Sequence, residues 1–211
     1  MLKEKLKAYI HASVPIIYIN TYDAREAEEQ VLRATGRRMV WEWNQMNGLM
    51  KRKEIQKKEI LPIYEILNAD CTLEEALKKG VREREFNRKV VIINDVVSYL
   101  DNPEIVALFK NACLMIEEGE LDTIFIFISS GLKVPKELEK YITVLQEEYL
   151  NEPEIKKEIL DFIKENAIGN VYDKTLDKMS IAFKGLSVLE IDTILSLAFS
   201  SEGELNESAL E

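Results

Sequence analysis

Two uninterrupted apolar runs constrain the fold of this chain more than any other feature. The segments KVVIIND, residues 89–95, and TIFIFISS, residues 123–130, place β-branched and aromatic residues at consecutive positions before a polar end. A strand without polar alternation is buried on both faces, which is typical of a parallel sheet covered by helices. The sequence therefore predicts an α/β fold.

Segments with helical periodicity separate these and other expected strands. Strands are also expected at residues 15–20, 38–43 and 141–146. Helices are expected at residues 2–13, 23–35, 72–86, 102–118 and 136–140. This alternation predicts a doubly wound parallel sheet of five strands.

No further strand is expected after residue 147. Three helices are predicted instead, at residues 153–167, 172–184 and 187–200. We therefore expect an α/β core over residues 1–149, a small helical subdomain over residues 150–204, and a polar tail over residues 205–211. The tail is expected either to fray or to be the place where a longer protein was cut.

Three expected helices begin with a side chain that can cap them. In each case a Ser, Thr or Asp stands three positions before a Glu, the pattern of a capping box. The pairs are Asp23 and Glu26, Thr72 and Glu75, and Ser187 and Glu190.

The charge distribution limits which binding partners are expected for this chain. The formal net charge of −10 disfavours nucleic-acid binding, because an acidic surface repels the phosphate backbone. The basic segment 51–58, within KRKEIQKKEI, is the exception. It is interpreted either as a solvated loop or hairpin insertion or as a site for a polyanion or an acidic patch on a neighbour.

Other residue types exclude several classes of site. A single histidine, His11, rules out histidine triads and multi-histidine metal sites in one chain. Cys71 and Cys113 do not have metal-site spacing. Residues 1–9 lack a secretory pattern, and no apolar run reaches the about 18 residues that a bilayer crossing needs. We therefore expect a cytoplasmic, reduced protein without membrane contact.

The turn after the first strand has the position of a phosphate-binding loop without its chemistry. Such a loop uses glycines so that backbone N–H groups surround the phosphates, and a lysine neutralises them. Residues 20–29 contain neither, and they include four acids: Asp23, Glu26, Glu28 and Glu29. We expect Asp23 to cap the next helix, with Glu26 as its partner.

Several segments, in this order, resemble the AAA family of ATPases. KVVIIND is similar to the strand that ends in the family's metal-binding and water-orienting acids. TIFIFISSGLKVPKELEKYITVLQ is similar to its fourth strand, sensor end, short helix and fifth strand, and NEPEIKKEILDFI and FKGLSVLEIDTILSLAF are similar to helices of its lid. The resemblance covers nearly the whole chain. It is closest to the N-terminal modules of large bacterial and plastid AAA proteins, where a catalytic module follows.

The resemblance implies a P-loop NTPase-like fold with an incomplete nucleotide site. It places remnants of that site at three strand ends: Thr21, Tyr22 and Asp23; Asn94 and Asp95; Ser129 and Ser130. In a working member the first acid after the strand helps hold Mg²⁺, whereas this chain has Asn94. No arginine stands in LEKYITVL, where the family's subunit-bridging finger would be. We expect no catalytic residue, no bound cofactor and no ATP hydrolysis in this chain, with ATP and Mg²⁺ bound by the full-length protein.

The chain is thus interpreted as a catalytically inert module that acts in the assembly or regulation of an active ATPase module. Its expected partner is a C-terminal AAA module of the same polypeptide, or further copies in a homo-oligomer. Two alternatives stay open. Asp23 and Asp95, with Asp101, could bind Mg²⁺ for phosphotransfer or nuclease chemistry. The crevice at the strand ends could also bind a nucleotide without hydrolysing it.

Overall fold

The computed structural model of the protein describes residues 2–52, 64–146, 150–169 and 171–202. The chain divides into two units, Met1–Glu147 and Glu148–Glu211. The first contains a β-sheet and helices, and the described part of the second contains helices. Within these described ranges, no helix is both long and apolar enough to cross a membrane.

The strands of the first unit form one sheet. In the described residues they are β1 Ile16–Asn20, β2 Met39–Asn44, β3 Gly48–Arg52, β4 Tyr64–Asn68, β5 Lys89–Asn94, β6 Thr123–Ser129 and β7 Ile142–Gln146. Their spatial order is β4-β3-β2-β5-β6-β1-β7. Neighbours from β2 to β7 in this order pair in parallel, whereas β3 pairs antiparallel with β2 and with β4.

The predicted α/β class is confirmed, but the sheet has more strands than the five that were predicted. The sheet has seven strands and is mixed, because a β3–β4 hairpin extends it beyond β2. Lys51 and Arg52 of the basic segment belong to β3, and residues 53–58 lie outside the described residues.

A tight turn joins β2 to the hairpin. The side-chain oxygen of Asn44 accepts hydrogen bonds from the backbone N–H groups of Met46 and Asn47, at 3.1 and 2.8 Å. Gly48 follows with φ of +63°, and a Cβ there would lie 2.1 Å from the backbone oxygen of Asn68. Only glycine therefore fits at position 48, where β3 passes close to the backbone of β4.

The described helices are close to the predicted ones. They are α1 Leu2–His11, α2 Ala24–Ala34, α3 Leu73–Arg82, α4 Pro103–Glu117, α5 Glu152–Glu165, α6 Asp173–Ala182 and α7 Val188–Glu202. Short 3₁₀ turns lie at Val96–Tyr99 and Glu139–Tyr141.

One helix end and one short helix differ from the prediction. Helix α3 ends at Arg82 rather than near Phe86, because Arg84 adopts a left-handed φ of 58°. The chain then folds back so that the Phe86 ring occupies the space beside Gly80, 2.3 Å from where a Cβ would be. The helix predicted at residues 136–140 is only a turn followed by the 3₁₀ turn Glu139–Tyr141.

Helices cover both faces of the sheet. Along β6, Phe125 and Phe127 face the layer of α3 and α4, and Ile124 and Ile126 face the layer of α1 and α2. Phe109 of α4 packs edge-on against both phenylalanines, with ring centroids 5.4 and 4.9 Å apart. The uninterrupted apolar strands are thus buried on both sides, as their sequence predicts.

The second unit has its own core in its described part. Helix α5 packs against α6 and α7 around a cluster of buried residues: Ile155, Ile159, Leu176, Met179, Phe183, Ile191, Leu195 and Ala198. The predicted capping box before α7 is confirmed, since Ser187 Oγ accepts from the Glu190 N–H and the Glu190 carboxylate accepts from the Ser187 N–H.

Candidate functional site

The turn after β1 is closed by its own side chains. Asp23 Oδ1 accepts a hydrogen bond of 2.9 Å from the Glu26 N–H and so caps α2, as predicted. The predicted reciprocal partner is different, because Thr21 Oγ1 accepts from the Asp23 N–H at 2.9 Å while the Glu26 carboxylate accepts from Gln30. The Glu26 N–H in the first turn of α2 is therefore already hydrogen-bonded to a carboxylate of the chain.

The candidate site residues predicted after β1 and after β6 meet through the backbone. The Thr21 N–H donates to the Ser129 carbonyl at 3.1 Å, and Asn20 and Ser129 are register partners. Thr21 and Ser129 are both buried, whereas Tyr22 is 91% exposed and Ser130 is exposed. The side chains of Tyr22 and Ser130 thus face solvent beside a closed turn.

Asp95 follows β5 in an unusual conformation. Its φ of 53° lies in the left-handed region, which aspartate tolerates better than most residues. Its N–H donates to the Ile128 carbonyl at 2.9 Å, and its carbonyl accepts from Ser98 Oγ at 3.3 Å. The backbone of Asp95 is therefore fixed while its side chain is exposed.

Asn94, the last residue of β5, turns its amide toward other protein groups. Asn94 Nδ2 donates to Glu28 Oε1 of α2 and to Glu42 Oε1 of β2, both at 2.9 Å. Asn44 Nδ2 also donates to Glu42 Oε1, at 3.1 Å. Both amide hydrogens of Asn94 are thus used by carboxylates of the chain.

Glu28, Glu42, Arg52, Tyr64 and Asn94 form one polar group, which we call the Glu42 cluster. Arg52 forms an ion pair with Glu28 and donates to the Tyr64 hydroxyl, which in turn donates to Glu28 Oε2 at 3.0 Å. The guanidinium also stacks over the Tyr64 ring, 4.9 Å from its centroid. The cluster therefore joins α2 and strands β2, β3, β4 and β5.

Burial shapes the electrostatics of this cluster. Glu42 is 2% exposed and Arg52 is 6% exposed. Burial, and then the charge of Glu28, raise the pKa of the Glu42 carboxyl above its ordinary value, while hydrogen bonds and Arg52 act in the opposite direction. Burial and the charge of Glu42 raise the pKa of Tyr64 as well, so its hydroxyl remains a hydrogen-bond donor.

Two of the three acids considered for Mg²⁺ have side-chain contacts with other parts of the chain. Asp23 caps α2, and Asp101 forms an ion pair with Lys133. In the part of the chain that the structure describes, no group of three or more His, Cys, Asp or Glu residues is arranged to hold a metal ion.

The sequence predicted Asn94 as a site residue but indicated neither its hydrogen-bond partners Glu28 and Glu42 nor the neighbouring Arg52 and Tyr64. One signal was present: the alternation of residues 38–43 puts Glu42 on the opposite side of its strand from Trp41 and Trp43. A glutamate within a covered strand needs a cation or donors nearby.

Known proteins resemble this chain over nearly its full length. Two uncharacterized AAA domain-containing proteins named ycf46, from Guillardia theta and Trieres chinensis, are each 26% identical over 97% and 98% of this chain. These matches cover 38% and 40% of the relatives, so the chain spans about two fifths of their length.

A solved structure and a family model extend the comparison. A chain in the structure of the E. coli MS115-1 HORMA:CdnC:Trip13 complex matches 99% of this chain and 85% of its own length, with a TM-score of 0.66 and 7% identity, and so shares the fold. The model of the SpoVK-like AAA ATPase N-terminal domain matches residues 2–147. This chain therefore belongs to the family of SpoVK-like AAA ATPase N-terminal domains.

Proposed function

We propose that this chain is a catalytically inert AAA module that acts in the assembly or regulation of an active ATPase module. The main support for the proposal is the hydrogen bonding of the Asn94 side chain. An ATPase needs an acid at this position to hold Mg²⁺, but here an amide donates to Glu28 and Glu42. Its hydrogens point at carboxyl oxygens of the chain, and this residue has no carboxylate to offer a metal.

The turn after β1 supports the same proposal. A phosphate is held by several free backbone N–H groups at a helix N-terminus, usually with a lysine. At α2 the Glu26 N–H is bonded to Asp23, and residues 20–29 contain no glycine or lysine. A triphosphate placed here would meet carboxylates and lose the charge compensation that it needs.

Thr21, Tyr22, Asp23, Asn94, Asp95, Ser129 and Ser130 are thus proposed to be remnants of a nucleotide site rather than a working one. In this account ATP and Mg²⁺ act in an active module elsewhere in a longer polypeptide. The ycf46 relatives are about two and a half times as long as the part that matches this chain, which leaves room for such a module. The helical second unit is proposed to correspond to the lid of an AAA module.

The proposed partner is that active module, or the same module in other copies of the protein. We propose a cytoplasmic location. Cys71 and Cys113 are both buried free thiols, which fits a reducing compartment.

The experiment that tests the assembly role compares the longer protein with a version that lacks residues 1–211. We expect the deletion to change the oligomer size or the ATPase rate of the remaining protein. The separate 211-residue chain, added back as a control, should restore part of the lost property. If the deletion left both oligomer size and ATPase rate unchanged, the proposed role would be wrong.

A further inference from the structure

The Glu42 cluster places two carboxyl groups beside a single guanidinium group in a buried site. Its charged groups are the carboxyls of Glu28 and Glu42 and the guanidinium of Arg52. Arg52 hydrogen-bonds to Glu28, whereas its Nε lies 3.9 Å from Glu42 Oε2, beyond hydrogen-bond distance. Glu42 is therefore the carboxyl without a direct bond to the cation.

Several buried polar atoms of the cluster lack a hydrogen-bond partner within the described chain. They are Glu42 Oε2, Arg52 Nε, Arg52 Nη1 and Asn94 Oδ1. Unpaired polar atoms in a buried site cost free energy. A proton on Glu42 removes a buried charge and gives that carboxyl a donor hydrogen, which is of the type that the unpaired acceptor Asn94 Oδ1 needs; the two unpaired Arg52 nitrogens are donors themselves and gain nothing from it.

Asn94 holds the two carboxyls close to each other. One nitrogen, Asn94 Nδ2, donates to an oxygen of Glu28 and to an oxygen of Glu42, at 2.9 Å each. Two carboxyls that share a donor repel each other when both are ionised, and a proton on one of them relieves that repulsion.

The cluster also lies at one end of the β3–β4 strand pair, where the chain leaves β3 and later enters β4. Arg52 is the last residue of β3, and Tyr64 is the first residue of β4. Through Glu28, Glu42 and Asn94 these two residues are attached to α2, β2 and β5. The cluster therefore attaches this end of the hairpin to α2, β2 and β5.

We propose that the Glu42 cluster is a proton-sensitive latch, which holds the β3–β4 hairpin more tightly when Glu42 is protonated and more loosely when Glu42 is ionised. The groups that face Glu42 from the described elements are Glu28 of α2, Asn44 of β2, Arg52 of β3, Tyr64 of β4 and Asn94 of β5. The anion Glu28 and burial favour the proton, and the cation and the donors oppose it.

The direction of the pH effect follows from linkage. Burial and Glu28 raise the pKa of Glu42 in the closed hairpin. In an open hairpin the carboxyl meets water, and its pKa returns toward the ordinary value of about 4.3. Opening thus releases a proton, so opening becomes more favourable as pH rises from that ordinary value through the pKa of the closed form.

The test uses the 211-residue chain, the variant Glu42→Gln, and Glu137→Gln as a control at an exposed position. Amide hydrogen exchange of β3 and β4 is measured from about pH 5 to about pH 8 and corrected for the intrinsic pH dependence, with β6 as the internal reference. We expect the relative opening of β3 and β4 to increase about tenfold for each unit by which the pKa of Glu42 is displaced. The increase should persist in Glu137→Gln and disappear in Glu42→Gln.

A second measurement keeps the test decisive if Glu42→Gln does not fold. The ¹³C shift of the Glu42 carboxyl carbon in the unmodified chain reports its titration directly. A midpoint clearly above the ordinary glutamate value supports the latch. A midpoint at or below that value, or an equal pH dependence of β3–β4 exchange in the unmodified chain and in Glu42→Gln, would overturn it.

Discussion

Asn94 Nδ2 lies 2.9 Å from Glu42 Oε1 and donates a hydrogen bond to that buried carboxyl. The same nitrogen donates to Glu28 of α2. At the end of β5, where the resemblance to AAA ATPases predicts a remnant of a metal site, the side chain is thus part of an internal network. The Asn94 side chain therefore belongs both to the proposed inactive nucleotide site and to the Glu42 cluster that attaches the hairpin.

Restoring an acid at this position should destabilise the protein rather than activate it. In Asn94→Asp a carboxylate replaces a donor that faces Glu28 and Glu42. We expect the free energy of unfolding to fall by about 3 kcal/mol near neutral pH, the size typical of an uncompensated buried charge. Urea unfolding measures this loss, and ATP turnover should stay absent.

The loss of stability in Asn94→Asp should become smaller as pH falls. The neighbouring carboxyls would raise the pKa of the new aspartate in the folded state, so the destabilisation should shrink as pH falls toward the ordinary aspartate value. Asn111→Asp, at an exposed position on α4, is the control and should change stability little. An Asn94→Asp variant as stable as the unmodified chain would show that the two hydrogen bonds are not needed.

The cap of α2 can be tested separately. Asp23→Ala removes the acceptor of the Glu26 N–H, and we expect it to lower the free energy of unfolding by about 1 kcal/mol. Asp23→Asn keeps an acceptor oxygen, so most of the stability should remain. Equal losses in both variants, measured by urea unfolding, would mean that the charge of Asp23 matters rather than its hydrogen bond.

Gly48 offers a test of the hairpin attachment. Gly48→Ala places a Cβ 2.1 Å from the Asn68 oxygen, in addition to the strain of a positive φ. Gly36 has a similar φ of +64°, but a Cβ there meets no atom within 4 Å, so Gly36→Ala measures the strain alone. We expect about 1 kcal/mol of destabilisation in Gly36→Ala and a clearly larger loss in Gly48→Ala.

Amide hydrogen exchange should show where the clash between the new Cβ and Asn68 acts in Gly48→Ala. The extra loss in Gly48→Ala should appear as faster exchange in β3 and β4, while β5 and β6 stay protected. Equal losses in the two glycine variants would mean that β4 can move away from β3 without cost.

The elements that the sequence predicts correctly are those with local causes. The apolar runs that became β5 and β6 are buried on both faces, and Thr72 caps α3 through a capping box with Glu75. Each of these features depends on residues that are close together in the chain. Periodicity and capping patterns are therefore enough to predict them.

The features that the sequence did not predict depend on distant residues. The pairing of β4 with β3 joins strands on either side of residues 53–63, and β4 has an exposed pattern without a clear apolar face. Glu28 and Asn94 are 66 positions apart, and only the parallel placement of β2 and β5 brings Glu42 and Asn94 together. No local pattern indicates which donor a buried glutamate will meet.

The central claim is tested most directly by steady-state phosphate release from ATP and Mg²⁺ by the purified 211-residue chain. The account predicts no release above that of a protein-free blank, in the unmodified chain and in Asp95→Asn alike. A turnover of about 1 s⁻¹ or more, the lower end of ordinary enzymatic rates, that Asp95→Asn abolishes would contradict it.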